Sequence, residues 1–182
     1  MMIQDVAICE LESARLIYKP VVMQHATAEY ISWLNDSEVN KYLEVKKENK
    51  ISELEEYIQD TVEKKIFFWA IHLKKNIKHI GNIKIDPINK KHGTGEYGIM
   101  IGDKTEWGKG FAKEASYAII DFCFNKMNLR KMTLGVVEEN IPAVKLYEKM
   151  GFIMEGNYKK HAMYNGVYSN ILRMAIFNPL YK

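Results

Sequence analysis

Six residues near the middle of the chain, Trp107-Gly108-Lys109-Gly110-Phe111-Ala112, carry the clearest capacity for chemistry. They follow a strand-like run and open a stretch with helical spacing. The first-turn N–H groups of such a helix lack intrahelical partners and, with the positive end of the helix dipole, suit an anion. Small residues there let a ligand approach the backbone. From the glycines alone, a phosphate-bearing ligand and a tight unliganded connection both remain open. Two look-alike motifs fail. Gly93-Thr94-Gly95-Glu96-Tyr97-Gly98 spells the dinucleotide fingerprint, but that fingerprint must open a helix and this one precedes the strand-like Ile99-Met100-Ile101. A P-loop needs its first glycine one residue nearer to Gly108-Lys109 than Gly102 stands, and a hydroxyl residue where Gly110 sits.

Other reactive side chains read as structural. His25, His72, His79, His92 and His161 show no metal-ligand spacing, so no metal is expected. Cys123 lies on the apolar side of a helix, where a buried thiol behaves as a small hydrophobe. Spacing alone nominates no Ser/His/Asp set.

The elements that must position the glycine loop follow from periodicity. Ala14 to Pro20 reads as a strand and His25 to Leu34 as a helix. A second helix is expected from Ser52, with Ser52 and Glu55 as a capping box and Leu54, Tyr57, Ile58 and Val62 facing inward. Strands are expected at Phe67 to Leu73, Ile80 to Ile88 and Glu96 to Ile101, with a turn over Pro87 to Lys91. After Gly110, Phe111, Ala115, Ala118, Ile119 and Phe122 share one helix face. A strand at Met132 to Val137 leads to a helix at Asn140 to Met150, closed by Gly151. Strands at Phe152 to Lys159 and Tyr168 to Phe177 flank an Asn165-Gly166 hairpin turn. Adjacent strands with few intervening helices indicate an α+β mixed sheet.

Length and composition set the outer limits. At 182 residues, 47% hydrophobic and 27% charged, the chain reads as one globular domain spanning residues 1–182. Its net charge of +3 is too small to argue for nucleic acid. The longest clean apolar run, Ile66 to Ile71, is far short of the roughly 20 residues that span a bilayer. Asp5, Glu10 and Glu12 interrupt the N-terminus where a signal peptide needs an apolar run, so a cytoplasmic location is expected. Two cysteines, Cys9 and Cys123, cannot form a disulfide framework.

The glycine loop resembles the pyrophosphate loop of the GCN5-related N-acetyltransferase (GNAT) superfamily, Gln/Arg-x-x-Gly-x-Gly/Ala. Trp107 departs from the usual first residue, and the aromatic-Gly-Lys-Gly form is similar to the branch that acetylates ribosomal-protein N-termini. Downstream, Asn140-Ile141-Pro142-Ala143-Val144-Lys145-Leu146-Tyr147-Glu148-Lys149-Met150-Gly151-Phe152 resembles the superfamily's second cofactor motif, Asn-x-x-Ala-x-x-Leu-Tyr-x-x-x-Gly-Phe.

The resemblance implies a single splayed, mixed but largely antiparallel sheet of about seven strands flanked by about four helices. It implies acetyl transfer from acetyl-CoA to a primary amine by direct attack in a ternary complex, without a metal. Trp107 to Ala112 (Trp107, Gly108, Lys109, Gly110, Phe111, Ala112) would bind the diphosphate, and the backbones of Ile99, Met100 and Ile101 would bind the pantetheine arm. Asn140 and Ala143 would complete the cofactor site, Asn140 also serving as a helix cap. Tyr147 would bind the cofactor and protonate the departing thiolate, although its spacing with Ala143 and Met150 equally describes a core tyrosine. An alkylammonium with a pKa near ~10.4 must first lose a proton. Glu96 matches an acidic position used for that, and an exposed strand-end glutamate fits it equally well. Asp86, His161 and Tyr164 are weaker candidates.

For the acceptor, the closing strand resembles that of spermidine N-acetyltransferases, but Lys41 to Lys47 carries one acid, Glu44, among three lysines. The run Trp33 to Glu44 resembles members acetylating small molecules, including nucleotide-linked amino sugars. An amino-sugar acceptor is the expectation, with Trp33, Glu44 and Tyr164 touching it. A peptide N-terminus, a polyamine, or coenzyme A sensing without turnover are the alternatives. The resemblance leaves room for a homodimer, and neither nucleic acid nor membrane is expected as a partner.

Overall fold

A computed structural model describes residues 6–46, 48–164 and 166–181. Lys47 and Asn165 lie outside the described residues, so the expected hairpin turn is described only from Gly166. The strands are β1 (Leu11–Glu12), β2 (Leu16–Pro20), β3 (Phe67–Leu73), β4 (His79–Asn89), β5 (Thr94–Ile101), β6 (Lys131–Val137), β7 (Ile153–Tyr164) and β8 (Val167–Phe177). The helices are α1 (Ala28–Asn35), α2 (Ile51–Glu63), α3 (Phe111–Asn125) and α4 (Ile141–Lys149). The sheet order is β1-β2-β3-β4-β5-β6-β8-β7. β5 pairs in parallel with β6, and the β1–β2, β2–β3, β3–β4, β6–β8 and β7–β8 pairs are antiparallel. This is the expected mixed α+β architecture with one more strand. The addition, β1, is two residues long and too short to leave a periodic signal.

The described residues fall into two compact units, one of residues 7–86 and 98–118 and one of residues 87–97 and 119–181. In the first, β3 is buried along almost its whole length, as a strand covered on both faces must be. Phe68 and Ala70 pack with Tyr30 and Trp33 of α1 and Leu54 and Ile58 of α2. Several boundaries differ from expectation, among them the end of β7, which runs past the expected Lys159 to Tyr164. The α1 helix starts at Ala28, because the Thr27 side chain captures the Tyr30 N–H at 3.1 Å and a separate 3-10 turn takes Met23–His25. The α2 helix starts at Ile51, where Glu53 Oε2 accepts the Lys50 N–H at 3.1 Å, two positions before the expected Ser52–Glu55 box. Its inner stripe is Leu54, Ile58 and Thr61, while Tyr57 and Val62 face solvent. Finally, β4 runs through Pro87 to Asn89 before the chain turns.

In the second unit, buried Asn178 follows β8 and donates to the carbonyls of Phe124 (3.2 Å) and Leu129 (3.0 Å), tying down the end of α3. Asn140 caps α4 by accepting the Ala143 N–H at 3.4 Å. At the other end Gly151 adopts φ +92°, and the Phe152 N–H reaches back to the Tyr147 carbonyl at 3.0 Å. That is a Schellman closure, which only a left-handed residue between them permits.

Three histidines far apart in sequence meet in the first unit. Ring centroids lie 5.4 Å apart for His25–His72, 5.5 Å for His25–His79 and 5.1 Å for His72–His79. His79 Nε2 faces two acceptors, Gly81 O at 3.0 Å and Asn82 Oδ1 at 3.1 Å, so it carries the proton. Among the described residues no group of three His, Cys, Asp or Glu could hold a metal ion. Burial pushes both His72 and His79 down to about 4, so they are neutral at physiological pH. The unfolded chain takes up these protons near ~6.5, so stability is full above that value and is lost as pH falls toward 4. The loss should reach about 3 kcal/mol per ring. The denaturant midpoint should fall steeply from pH 7 to pH 4, and a His72→Gln/His79→Gln double variant should flatten that slope.

Candidate active site

The paired parts of β5 and β6 assemble one cluster of candidate site residues. Thr94, Gly95 and Glu96 pair with Lys131, Met132 and Thr133. Glu96 accepts from Thr133 Oγ1 at 2.7 Å and from both ends of the Arg173 guanidinium, Nη1 at 2.7 Å and Nη2 at 2.6 Å. Arg173 reaches it from β8 across Gly135, its register partner on β6. A Cβ on Gly135 would stand 2.9 Å from Arg173 Nη1, so glycine leaves the path open. Burial alone would raise the Glu96 pKa, but the Arg173 and Thr133 hydrogen bonds and the guanidinium charge outweigh it and hold the carboxyl below its ordinary value. Glu96 is therefore an ionised, clamped carboxylate rather than an exposed strand end.

Tyr97, the next residue, points to the opposite face. Its ring meets Tyr147 edge-on (centroids 5.9 Å apart, interplanar angle 88°), and Phe152 lies against both. Tyr147 is thus held by two rings and by the closure of its own helix. Only 8% of the residue is exposed, and burial pushes its phenol up to about 12. No hydrogen-bond partner of its Oη is found among the described residues. Its proton is retained at neutral pH and uncommitted, the state a donor requires.

The other unit holds the glycine loop and the end of β5. Gly108 (φ +74°) and Gly110 (φ +80°) flank Lys109 in left-handed conformations, and an added Cβ at Gly108 would meet nothing within 4 Å. Alternation of this kind turns successive N–H groups toward one side, a concavity suited to an anion. The exposed Trp107 donates Nε1–H to the Ile101 carbonyl at 2.7 Å, tying the loop to β5. Lys109 Nζ is drawn back to buried Glu106 at 2.8 Å.

Three expected acceptor residues fall in different settings. Trp33 is 5% exposed and belongs to the core, so its ring packs α1 against β3 instead of offering a face to an acceptor. Glu44 is exposed between α1 and α2. Tyr164 ends β7 opposite Val167. Sequence reasoning missed Arg173, Thr133 and Tyr97, whose roles depend on cross-strand register or on a ring contact 50 residues away in sequence.

The acetyltransferase (GNAT) domain model matches residues 15–153, most of the chain. The chain belongs to the GNAT acetyltransferase family. A spermidine N(1)-acetyltransferase from Vibrio cholerae is 36% identical over 133 residues, covering 71% of this chain and 74% of that protein. The crystal structure of a spermidine N-acetyltransferase from Vibrio cholerae with CoA and spermine superimposes with TM-score 0.83 at 26% identity, covering 91% of this chain and 97% of that one. A ribosomal-protein-S5-alanine acetyltransferase from Vibrio fischeri shares the fold, with TM-score 0.83 at 21% identity over 96% of this chain and 99% of that one. As a GNAT enzyme the protein is an acyltransferase that takes acetyl from acetyl-CoA. The relatives support acetyl transfer to amines and do not single out the expected amino-sugar acceptor. No helix among the described residues is long and apolar enough to cross a membrane.

The clamp on Glu96 makes a measurable demand. Replacing Arg173 by Met leaves a half-buried carboxylate without its cation, which should destabilise the protein by about 2 kcal/mol at pH 7. Because the native carboxyl titrates below its ordinary value, the clamp's contribution is present above the unfolded pKa and is lost as pH falls through the native one. Urea melts of the two proteins should differ at pH 7 and converge at acidic pH, once the native carboxyl has taken up its proton.

Proposed function

We propose that this GNAT enzyme acetylates a small polycationic amine of the polyamine class. Acetyl-CoA supplies an acyl group activated as a thioester. The backbone N–H groups of Gly108 to Ala112 would hold its diphosphate and the second half of β5 (Ile99, Met100, Ile101) its pantetheine arm, with Asn140 and Ala143 as further cofactor contacts. The loop fits that group: two left-handed glycines leave its N–H side unfilled by any Cβ.

The observation that carries the mechanism is the opposed placement of Glu96 and Tyr147 on the two faces of β5. An amine can approach from the carboxylate side while the leaving sulfur meets the phenol on the other. An ordinary thiol has a pKa near ~8.5, so full proton transfer from a phenol at about 12 would cost roughly 5 kcal/mol. Tyr147 therefore acts first by donating its Oη hydrogen to the sulfur as charge develops there. Likewise Glu96, held below the ordinary carboxylate value, could strip an alkylammonium directly only at a cost of more than about 8 kcal/mol. Arg173 and Thr133 occupy three of its four lone-pair positions, so its role is to accept one N–H of the amine, whose proton leaves through water.

Charge supports the acceptor class. Residues 36–60, from the end of α1 to the last turn of α2, carry eight carboxylates and four lysines, a net −4 within a chain of +3. Of the lysines weighed for an anionic sugar nucleotide, Lys46 is spent on Glu53 at 2.6 Å. The spermidine-acetylating relatives point the same way.

A thiol-release assay over spermidine, spermine, a nucleotide-linked amino sugar, single amino acids and an alanine-starting peptide tests the assignment. The polyamines should give kcat/KM at least ~10-fold above the rest, with KM rising at high salt because the attraction is screened. A faster amino sugar or peptide overturns the acceptor class. Stabilisation by acetyl-CoA without turnover on any amine overturns the enzymatic reading. Within the enzyme, Tyr147→Phe should lower kcat by roughly 10²-fold while sparing the KM for acetyl-CoA. The wild-type profile should show no alkaline decline from this phenol below pH 11.

A further inference from the structure

Arg15, at the entry to β2, stands outside every motif that the sequence offers for cofactor binding. Its guanidinium nevertheless gathers the first turn of α3 and the loop before it. Nη1 donates to the Lys109 carbonyl at 3.0 Å, and Nε donates to Glu114 Oε2 at 2.7 Å. The Arg15 backbone N–H takes the other oxygen, Glu114 Oε1, at 2.7 Å. The guanidinium also lies 4.3 Å over the Phe111 ring, and a Cβ on Gly110 would stand 3.7 Å from Nη2. Ser13 Oγ adds a third donor to Glu114 at 2.7 Å. Four contacts from one side chain and its own N–H thus converge on residues 109–114.

The peptide plane between Lys109 and Gly110 gives this bracket a consequence for the ligand. In a trans peptide the carbonyl and the following N–H point in opposite directions. Arg15 draws the Lys109 carbonyl to its own side, so the Gly110 N–H is turned to the other side. Left-handed glycines on both sides of Lys109 make that plane easy to rotate, since glycine resists neither orientation. Without an anchor, the concavity of N–H groups would be one of several loop states. A second consequence is electrostatic. Glu114 carries a negative charge in the first turn of the helix, where a diphosphate would be repelled by it, and the Arg15 fork neutralises it.

We propose that Arg15 is a positioning residue for the acyl donor's diphosphate: it fixes the Lys109–Gly110 peptide so that the loop's N–H groups are pre-aimed, and it cancels Glu114. This rests on the reading that the loop binds the diphosphate. It predicts a defect confined to donors that carry one.

The test compares acetyl-CoA with acetyl-pantetheine, which has the same thioester arm and no phosphate, in the wild type, Arg15→Ala and Arg15→Lys. Arg15→Ala should raise the KM for acetyl-CoA ~10-fold or more with kcat within ~3-fold, and should leave kcat/KM for acetyl-pantetheine unchanged. Arg15→Lys keeps the charge without the fork, so it should recover less than half of the lost affinity on a logarithmic scale. Equal losses on both donors would mean general damage, and an unchanged KM for acetyl-CoA would mean that the bracket is irrelevant. Full rescue by Lys would mean that charge alone matters. Any of these overturns the assignment. A wild type that uses both donors equally well would instead overturn the diphosphate reading, which the variants do not decide.

Discussion

A β-strand cannot turn neighbouring side chains to the same face, and at Glu96-Tyr97 that constraint divides the chemistry. The carboxylate goes to the side where Thr133 and Arg173 can reach it, and the ring goes to the side where Tyr147 and Phe152 lie. One residue of slip in β5 would exchange the two, placing a charge against aromatic rings and a ring against a guanidinium. The parallel pairing of Thr94 to Glu96 with Lys131 to Thr133 fixes the register, so a few backbone hydrogen bonds decide where acid and anion stand.

Each unit contains a clamped carboxylate, and the two have a common logic. Glu96 receives three side-chain bonds and Glu114 two, with a further backbone N–H on Glu114. Both are more shielded than an exposed pair such as Lys64–Asp60 at the end of α2, and Glu96 alone takes both prongs of a guanidinium, whereas Arg15 divides its prongs between Glu114 and the Lys109 carbonyl. Neither carboxylate is free to take protons readily. Their service is geometric: one holds a remaining lone pair of Oε1 in a fixed direction for an incoming N–H, and the other ties β2 to the start of α3.

What could be read from the sequence is what local chain geometry decides. The stretch from Asn140 to Phe152 contains its own cap, its own terminator and the phenol between them. The five-residue step from Tyr147 to Phe152 is the span of the closing hydrogen bond. The glycine loop is equally self-contained. Long-range partners left no such trace. Arg15 and Glu114 are 99 residues apart, Arg173 and Glu96 are 77 apart, and neither pair belongs to a repeating pattern. The histidine cluster was likewise invisible, because His72 and His79 stack only once β3 and β4 pair, and His25 meets them edge-on from the turn before α1. Helix boundaries shifted by a few residues where two capping groups competed, Thr27 winning over the His25 start and Glu53 over Glu55. Trp33 entered through the resemblance of its run to enzymes acting on small molecules, a likeness that carries no information on burial, and helix α1 turns its ring into the core.

Trp107 shows why the loop can tolerate an unusual residue at its head. Recognition of an anion through backbone N–H groups makes no demand on side-chain identity, so the side chains of the loop are free for other work. In this chain all three large ones hold the loop in place: Trp107 on the Ile101 carbonyl, Lys109 on Glu106, and Phe111 under Arg15. The glycines between them supply the dihedral angles that the concavity needs and no competing atoms. The division is therefore between residues that shape the binding surface by having no side chain and residues that brace it by turning theirs away. A lysine in such a loop would ordinarily be read as a phosphate ligand. Its ammonium is instead committed to a buried carboxylate, so what Lys109 offers an anion is its place in the backbone.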